Sequence, residues 1–170
     1  MSAENDLDKT SAAQLAAQIR VGNILLQGVD GRQERTFTSP CGDLLAAGEN
    51  YLGRIGADFV AIKSAAGGVV VDMTTLDPYG VSVAAPSNAT GAQLIELVQR
   101  AARAGTMANI TFHGLAGGHL GVSRLAHEDL PAHLSAHLSA DRDVCWTDTF
   151  IGIMKHVKAR PAARSGPGPK

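Results

Sequence analysis

Ala108-Asn109-Ile110-Thr111-Phe112-His113-Gly114 is a short apolar run that closes on a histidine and a glycine. Ile110, Thr111 and Phe112 are residue types that suit a pleated, buried strand. A helix precedes the run. Thr90 with Gln93 forms a capping box, Leu94, Leu97, Val98 and Ala101 share one face, and Gly105 supplies the stop. A Gly-rich loop, Gly114 to Gly121, follows, and Ser123 caps a helix to about Leu138, bent or broken by Pro131. A strand between two helices is the unit of an α/β fold with a largely parallel sheet. His113 then stands at the carboxyl end of its strand, the edge where such folds build active sites. Its imidazole titrates near neutral pH and can act as general acid or base.

The same reading extends to both ends of the chain. Residues 1–9 are polar and acidic and read as a disordered lead. Ser11 and Gln14 frame a second capping box, Leu15, Ile19 and Leu25/Leu26 carry a helix to about Gln27, and Val29-Asp30-Gly31 ends it. Arg35–Ser39 is a strand stopped by Pro40, and a short helix spans about Glu49 to Ile55. Further strands fall at Asp58–Ile62, Val69–Val71, Val81–Ala84 and Val144–Trp146. Thr147 or Asp148 caps a last helix with Phe150, Ile151, Met154 and Val157 inward, and Ala159–Lys170 is a disordered tail. Four to six short strands are too few for a complete (β/α) barrel. The sheet is open, or the chain is part of a barrel.

With 170 residues, 45% hydrophobic and 18% charged, the chain is long enough for one domain with a core, spanning about residues 11–158. A net charge of −1 offers no attraction to nucleic acid or an anionic membrane surface. Cys41 and Cys145, far apart in sequence, suggest two small buried residues rather than a disulfide framework. No apolar run is long enough to span a bilayer, and the first ten residues lack the pattern of a secretory signal, so the expected location is cytoplasmic.

A second segment can carry chemistry: Arg35-Thr36-Phe37-Thr38-Ser39-Pro40-Cys41-Gly42-Asp43. A strand running into Pro-Cys-Gly makes a sharp turn whose backbone N–H groups can hold an oxyanion. Asp43 is placed to accept a hydrogen bond or to cap the next helix. His133-Leu134-Ser135-Ala136-His137 sets two imidazoles four residues apart on a helix, but it lies in a tandem Ala-His-Leu-Ser duplication with no third ligand at the right spacing.

Taken in order, these motifs resemble the polysaccharide-deacetylase (NodB-homology) family. That family has a late apolar strand followed by His, matched by Ile110–His113, and an earlier strand ending in Pro-Tyr-Gly, matched by Ser39-Pro40-Cys41-Gly42. Between and after them stand Tyr51-Leu52, Phe59-Val60-Ala61, Gly67-Gly68 with Asp72, and Asp77-Pro78-Tyr79. Gly117-Gly118-His119-Leu120, Ala126-His127-Glu128 and Trp146-Thr147-Asp148-Thr149-Phe150 complete the likeness, which covers about residues 11–157.

The resemblance implies a distorted (β/α) barrel that removes acetyl groups from acetylated oligo- or polysaccharides. It implies a divalent metal, commonly zinc, held by an Asp and an H-x-x-x-H pair, with a neighbouring Asp as base. Carried over by position, His113 is the acid that protonates the leaving amine, and the Cys41 N–H is the oxyanion donor. Asp43 lies beside that donor. Pro40, Gly42, Phe112, Gly114 and His119 line the substrate side. Thr38 stands where many members carry a buttressing Arg, and Arg35 is the candidate substitute. The family's metal motifs precede its Pro-Tyr-Gly segment, whereas the 38 residues before Ser39 contain no histidine. The expectation is therefore a partial barrel lacking its N-terminal strands, with no metal ligands found and little or no activity as an isolated chain. Two alternatives stand beside the hydrolase. One is a non-catalytic remnant or split-protein half that self-associates through exposed sheet edges or pairs with a partner chain. The other is a carbohydrate-binding module, disfavoured by the few aromatic residues.

Overall fold

A computed structural model describes residues 7–115, 121–140 and 145–160. The chain divides into two compact units, one of Met1–Ser64 with Asp77–Val81 and the other of Ala65–Leu76 with Ser82–Lys170.

In the first unit Leu7–Lys9 forms a 3-10 turn. The Leu7 carbonyl accepts from the N–H groups of Thr10 and Ala47, and its side chain packs on the core. The part of the expected lead from Leu7 on is thus ordered, because Leu7 has apolar surface to bury. Helix α1, Ala12–Asp30, opens on the expected Ser11–Gln14 capping box and closes on Gly31 at φ 70, whose N–H bonds to the Gln27 carbonyl. Strand β1, Thr36–Thr38, leads into a 3-10 turn at Pro40–Gly42. Strands β2, Leu45–Ala46, and β3, Glu49–Asn50, form an antiparallel hairpin. Its two-residue loop, Ala47-Gly48, has positive φ at both positions (47 and 79), as a type I′ turn requires. Helix α2 is short, Leu52–Ile55.

The expected strand at Asp58–Ile62 starts later. Gly56–Asp58 closes a 3-10 turn, and strand β4 occupies Ala61–Ala66. Thr36, Phe37 and Thr38 pair in parallel with Ala61, Ile62 and Lys63. Strand β5, Val81–Val83, completes a three-stranded sheet in the order β1-β4-β5. Tyr51, Ile55, Ile62 and Ala46 are fully buried in the core of this unit, with Ala12, Leu15 and Ala16 of α1 packed on them.

The second unit is built on helix α3, Gly91–Ala104, which carries the expected Thr90–Gln93 capping box and ends at Gly105 with φ 62. The expected strand at Ala108–Phe112 is reduced to two bridges, Val69 with Ala108 (antiparallel) and Ala84 with Ile110 (parallel). Ala84 both donates to the Asn109 carbonyl and accepts from the Thr111 N–H. Pro86 then stops the partner segment from pairing further. Strands β6, Gly114–Leu115, and β7, Gly121–Val122, pair in parallel. Helix α4, Arg124–Ala140, runs through Pro131, and Ser123 Oγ accepts from the Ala126 N–H. Leu94 of α3 is buried with Ala126 and Leu130 of α4, and Ile110 and Phe112 pack on this cluster.

Cys145 and Trp146 are not in a strand, and Val144 lies outside the described residues. Helix α5, Phe150–Ala159, is capped by Thr149 rather than by Thr147 or Asp148. Thr149 has the extended backbone a cap needs, and its hydroxyl accepts from the Gly152 N–H. Met154 is fully buried. Ala159 belongs to α5 rather than to the tail, and residues 161–170 lie outside the described residues. The architecture is mixed α/β with mostly parallel pairing, and among the described residues no closed barrel forms. No helix among the described residues is long and apolar enough to cross a membrane.

Candidate functional site

The turn after β1 is held by backbone bonds. Ser39 is buried, its N–H donates to the Lys63 carbonyl, Gly42 donates to Ser39 and Asp43 donates to Pro40. The Cys41 N–H takes part in none of these. Cys41 has φ 54 and Gly42 φ 77, two successive left-handed residues. Glycine accepts that conformation freely, but cysteine does not, so the turn stores strain at Cys41. The thiol is exposed, contrary to the burial expected from composition, because a tight turn leaves a side chain at this position nothing to pack on. Behind the turn the Tyr51 hydroxyl donates to the Asp43 carbonyl at 2.9 Å. Tyr51 is fully buried, and burial together with the nearby Asp43 pushes its phenol up to about 12. The exposed carboxylate of Asp43 caps no helix.

Arg35 points to a different partner. Its guanidinium bridges both Asp30 oxygens at 2.5 and 3.1 Å and reaches the Arg32 carbonyl. The Arg35 hydrogen bond, with the Arg32 N–H, holds the Asp30 carboxyl below the usual carboxylate range. Arg35 thereby ties down the chain leaving α1.

Lys63 went unread in the sequence. It stands in register with Thr38 on β4, and its carbonyl receives both the N–H and the hydroxyl of Ser39. Burial lowers its ammonium below the ordinary lysine range. The available signal was one cationic residue inside the apolar stretch Phe59–Ile62 and Ser64–Ala66.

In the second unit His113 lies three residues beyond the parallel bridge at Ile110 and is exposed. Gly114 pairs with Gly121. The Phe112 ring sits edge-on to His127, centroids 5.3 Å apart, and belongs to the helix-packed core. The predicted substrate-side residue His119 lies outside the described residues. A cavity of about 970 Å³ is lined by Ala108, Ile110 and Phe112, by α3, α4 and α5, and by Trp146, but not by His113. Thr106 Oγ1 is buried at its edge without a hydrogen-bond partner among the described residues.

Pro40, Cys41, Gly42, Asp43 and Arg35 thus belong to the first unit, and Phe112, His113 and Gly114 to the second. Among the described residues no three His, Cys, Asp or Glu side chains are grouped to hold a metal ion. No protein-family model matches the chain, and neither a curated protein nor a solved structure matches it.

Proposed function

We propose that this chain supplies the acid of a polysaccharide-deacetylase-type hydrolase acting on N-acetylated sugars, within a distorted (β/α) barrel architecture. The observation that carries the reading is the position of His113. It stands three residues beyond Ile110, which is bridged in parallel to Ala84, on the carboxyl side where α/β folds place their chemistry.

In this reading water adds to the acetyl carbonyl, and the developing oxyanion is held by donors other than His113. The C–N bond then breaks, and the His113 imidazolium gives its proton to the departing sugar amine. Water activation and carbonyl polarisation fall to groups other than these. With no histidine before His113, the isolated chain is expected to turn over weakly or not at all.

The test is acetate release from chitotriose triacetate together with NMR of the isolated chain. The acetylated trimer should shift the His113 ring signals, and fully deacetylated chitotriose should not. Equal shifts with both sugars, or no shift at His113, would contradict the reading.

A further inference from the structure

Helix α1 turns Ala12, Leu15, Ala16 and Ile19 to the core of its unit, while Val21, Ile24, Leu25, Leu26 and Val29 are each 51% to 86% exposed. No charged residue occurs from Val21 to Val29. At 100° per residue Val21, Leu25 and Val29 form one row, with Gly22 and Gly28 flanking it symmetrically. Contiguous apolar surface of this kind marks an interaction site.

We infer that this face binds a second copy of the same chain as an antiparallel helix pair with its two-fold axis at Leu25. The argument for a second copy is the order of the residues. Val21-Gly22-Asn23-Ile24-Leu25-Leu26-Gln27-Gly28-Val29 reads nearly the same in both directions about Leu25. Valine matches valine, glycine matches glycine, asparagine matches glutamine and isoleucine matches leucine. A two-fold interface requires such self-complementarity, because each residue must face its own counterpart across the axis. Antiparallel pairing therefore sets Val21 against Val29 of the other copy, Gly22 against Gly28, and Leu25 against Leu25.

The glycines support the same geometry. A Cβ built on Gly22 or Gly28 meets nothing within 4 Å, so nothing within the chain requires glycine at either position. Glycine inside a helix lowers its stability, and close approach of a second helix gives a reason for it at both places. The lack of charge leaves no repulsion between copies and no feature for a charged partner to recognise. Covering these side chains buries on the order of 700 Å² over both copies, less than a standard specific interface, so the pairing is weak. The surface is a helix face and not the sheet edges that the sequence suggested for self-association, and it does not depend on the deacetylase reading.

The experiment is sedimentation equilibrium of the full chain up to about 500 µM, with disulfide trapping in a Cys41→Ser, Cys145→Ser background. A monomer–dimer equilibrium is expected, weakened at least about 30-fold by Leu25→Glu. Leu25→Cys should cross-link to itself under mild oxidation. Val21→Cys should not, because antiparallel helices hold its two copies about 12 Å apart along the axis, too far for a disulfide. Mixing Val21→Cys with Val29→Cys chains should restore the cross-link. A monomer at every concentration, a dimer indifferent to Leu25→Glu, or equal self-linking at Val21 and Leu25 would overturn the proposal. So would a monomer that instead binds phosphatidylcholine vesicles through α1.

Discussion

Cys41 combines a positive φ of 54 with an exposed side chain, so the residue costs backbone energy without contributing packing. Replacing it by glycine removes the Cβ strain and adds some unfolded-state entropy. Cys41→Gly should therefore raise stability by roughly 0.5 kcal/mol, measured by urea denaturation. Tyr51 makes a second prediction at this scale. Its phenol is raised from 10.0 to about 12 in the folded chain. The unfolded chain then loses this proton first as pH rises, so folding stability is intact below pH 10 and declines between pH 10 and 12. The decline in that window should be smaller in Tyr51→Phe than in the parent, and identical declines would refute the assignment. Arg35 illustrates what sequence left open at this scale. Its polar character was plain, but its Asp30 partner depends on how the chain turns after α1.

At the scale of elements, α3 and α4 meet where there is no room for a side chain on Gly91. A Cβ there would stand 2.6 Å from the Asp129 Cβ. Gly91→Ala should cost about 1–3 kcal/mol by overpacking. Combining it with Asp129→Gly should cost less than the two changes summed, although glycine within α4 costs about 1 kcal/mol by itself. Thermal denaturation of the four proteins measures the coupling. Both capping boxes and both glycine stops were legible because a cap is written within four residues and satisfied by its own helix. Strands were less legible. Ala108–Phe112 has the composition of a strand, yet its pairing is set by how far Val69 and Ala84 accompany it. β4 began three residues late because Gly56–Asp58 closed a turn first. The cap of α5 fell on Thr149, beyond the two candidates Thr147 and Asp148, where the hydroxyl could reach the Gly152 N–H.

At the scale of the molecule, each unit has its own buried cluster, around Tyr51 and Ile62 in one and around Leu94 and Leu130 in the other. A continuous α/β reading of the sequence could not locate that division, because the first unit takes Asp77–Val81 from further along the chain. His113 was read as closing a strand, whereas the run before it pairs only at Ala108 and Ile110. Lys63 was not legible, because its burial depends on neighbours distant in sequence. His113 is proposed to protonate a departing sugar amine. The direct test is acetate release from chitotriose triacetate by the chain mixed with a second polypeptide carrying the family's Asp-Asp and H-x-x-x-H motifs and zinc. Release from the mixture is expected, with a fall of about 10²–10⁴-fold for His113→Asn and zinc content unchanged. Release that is unaffected by His113→Asn would contradict it.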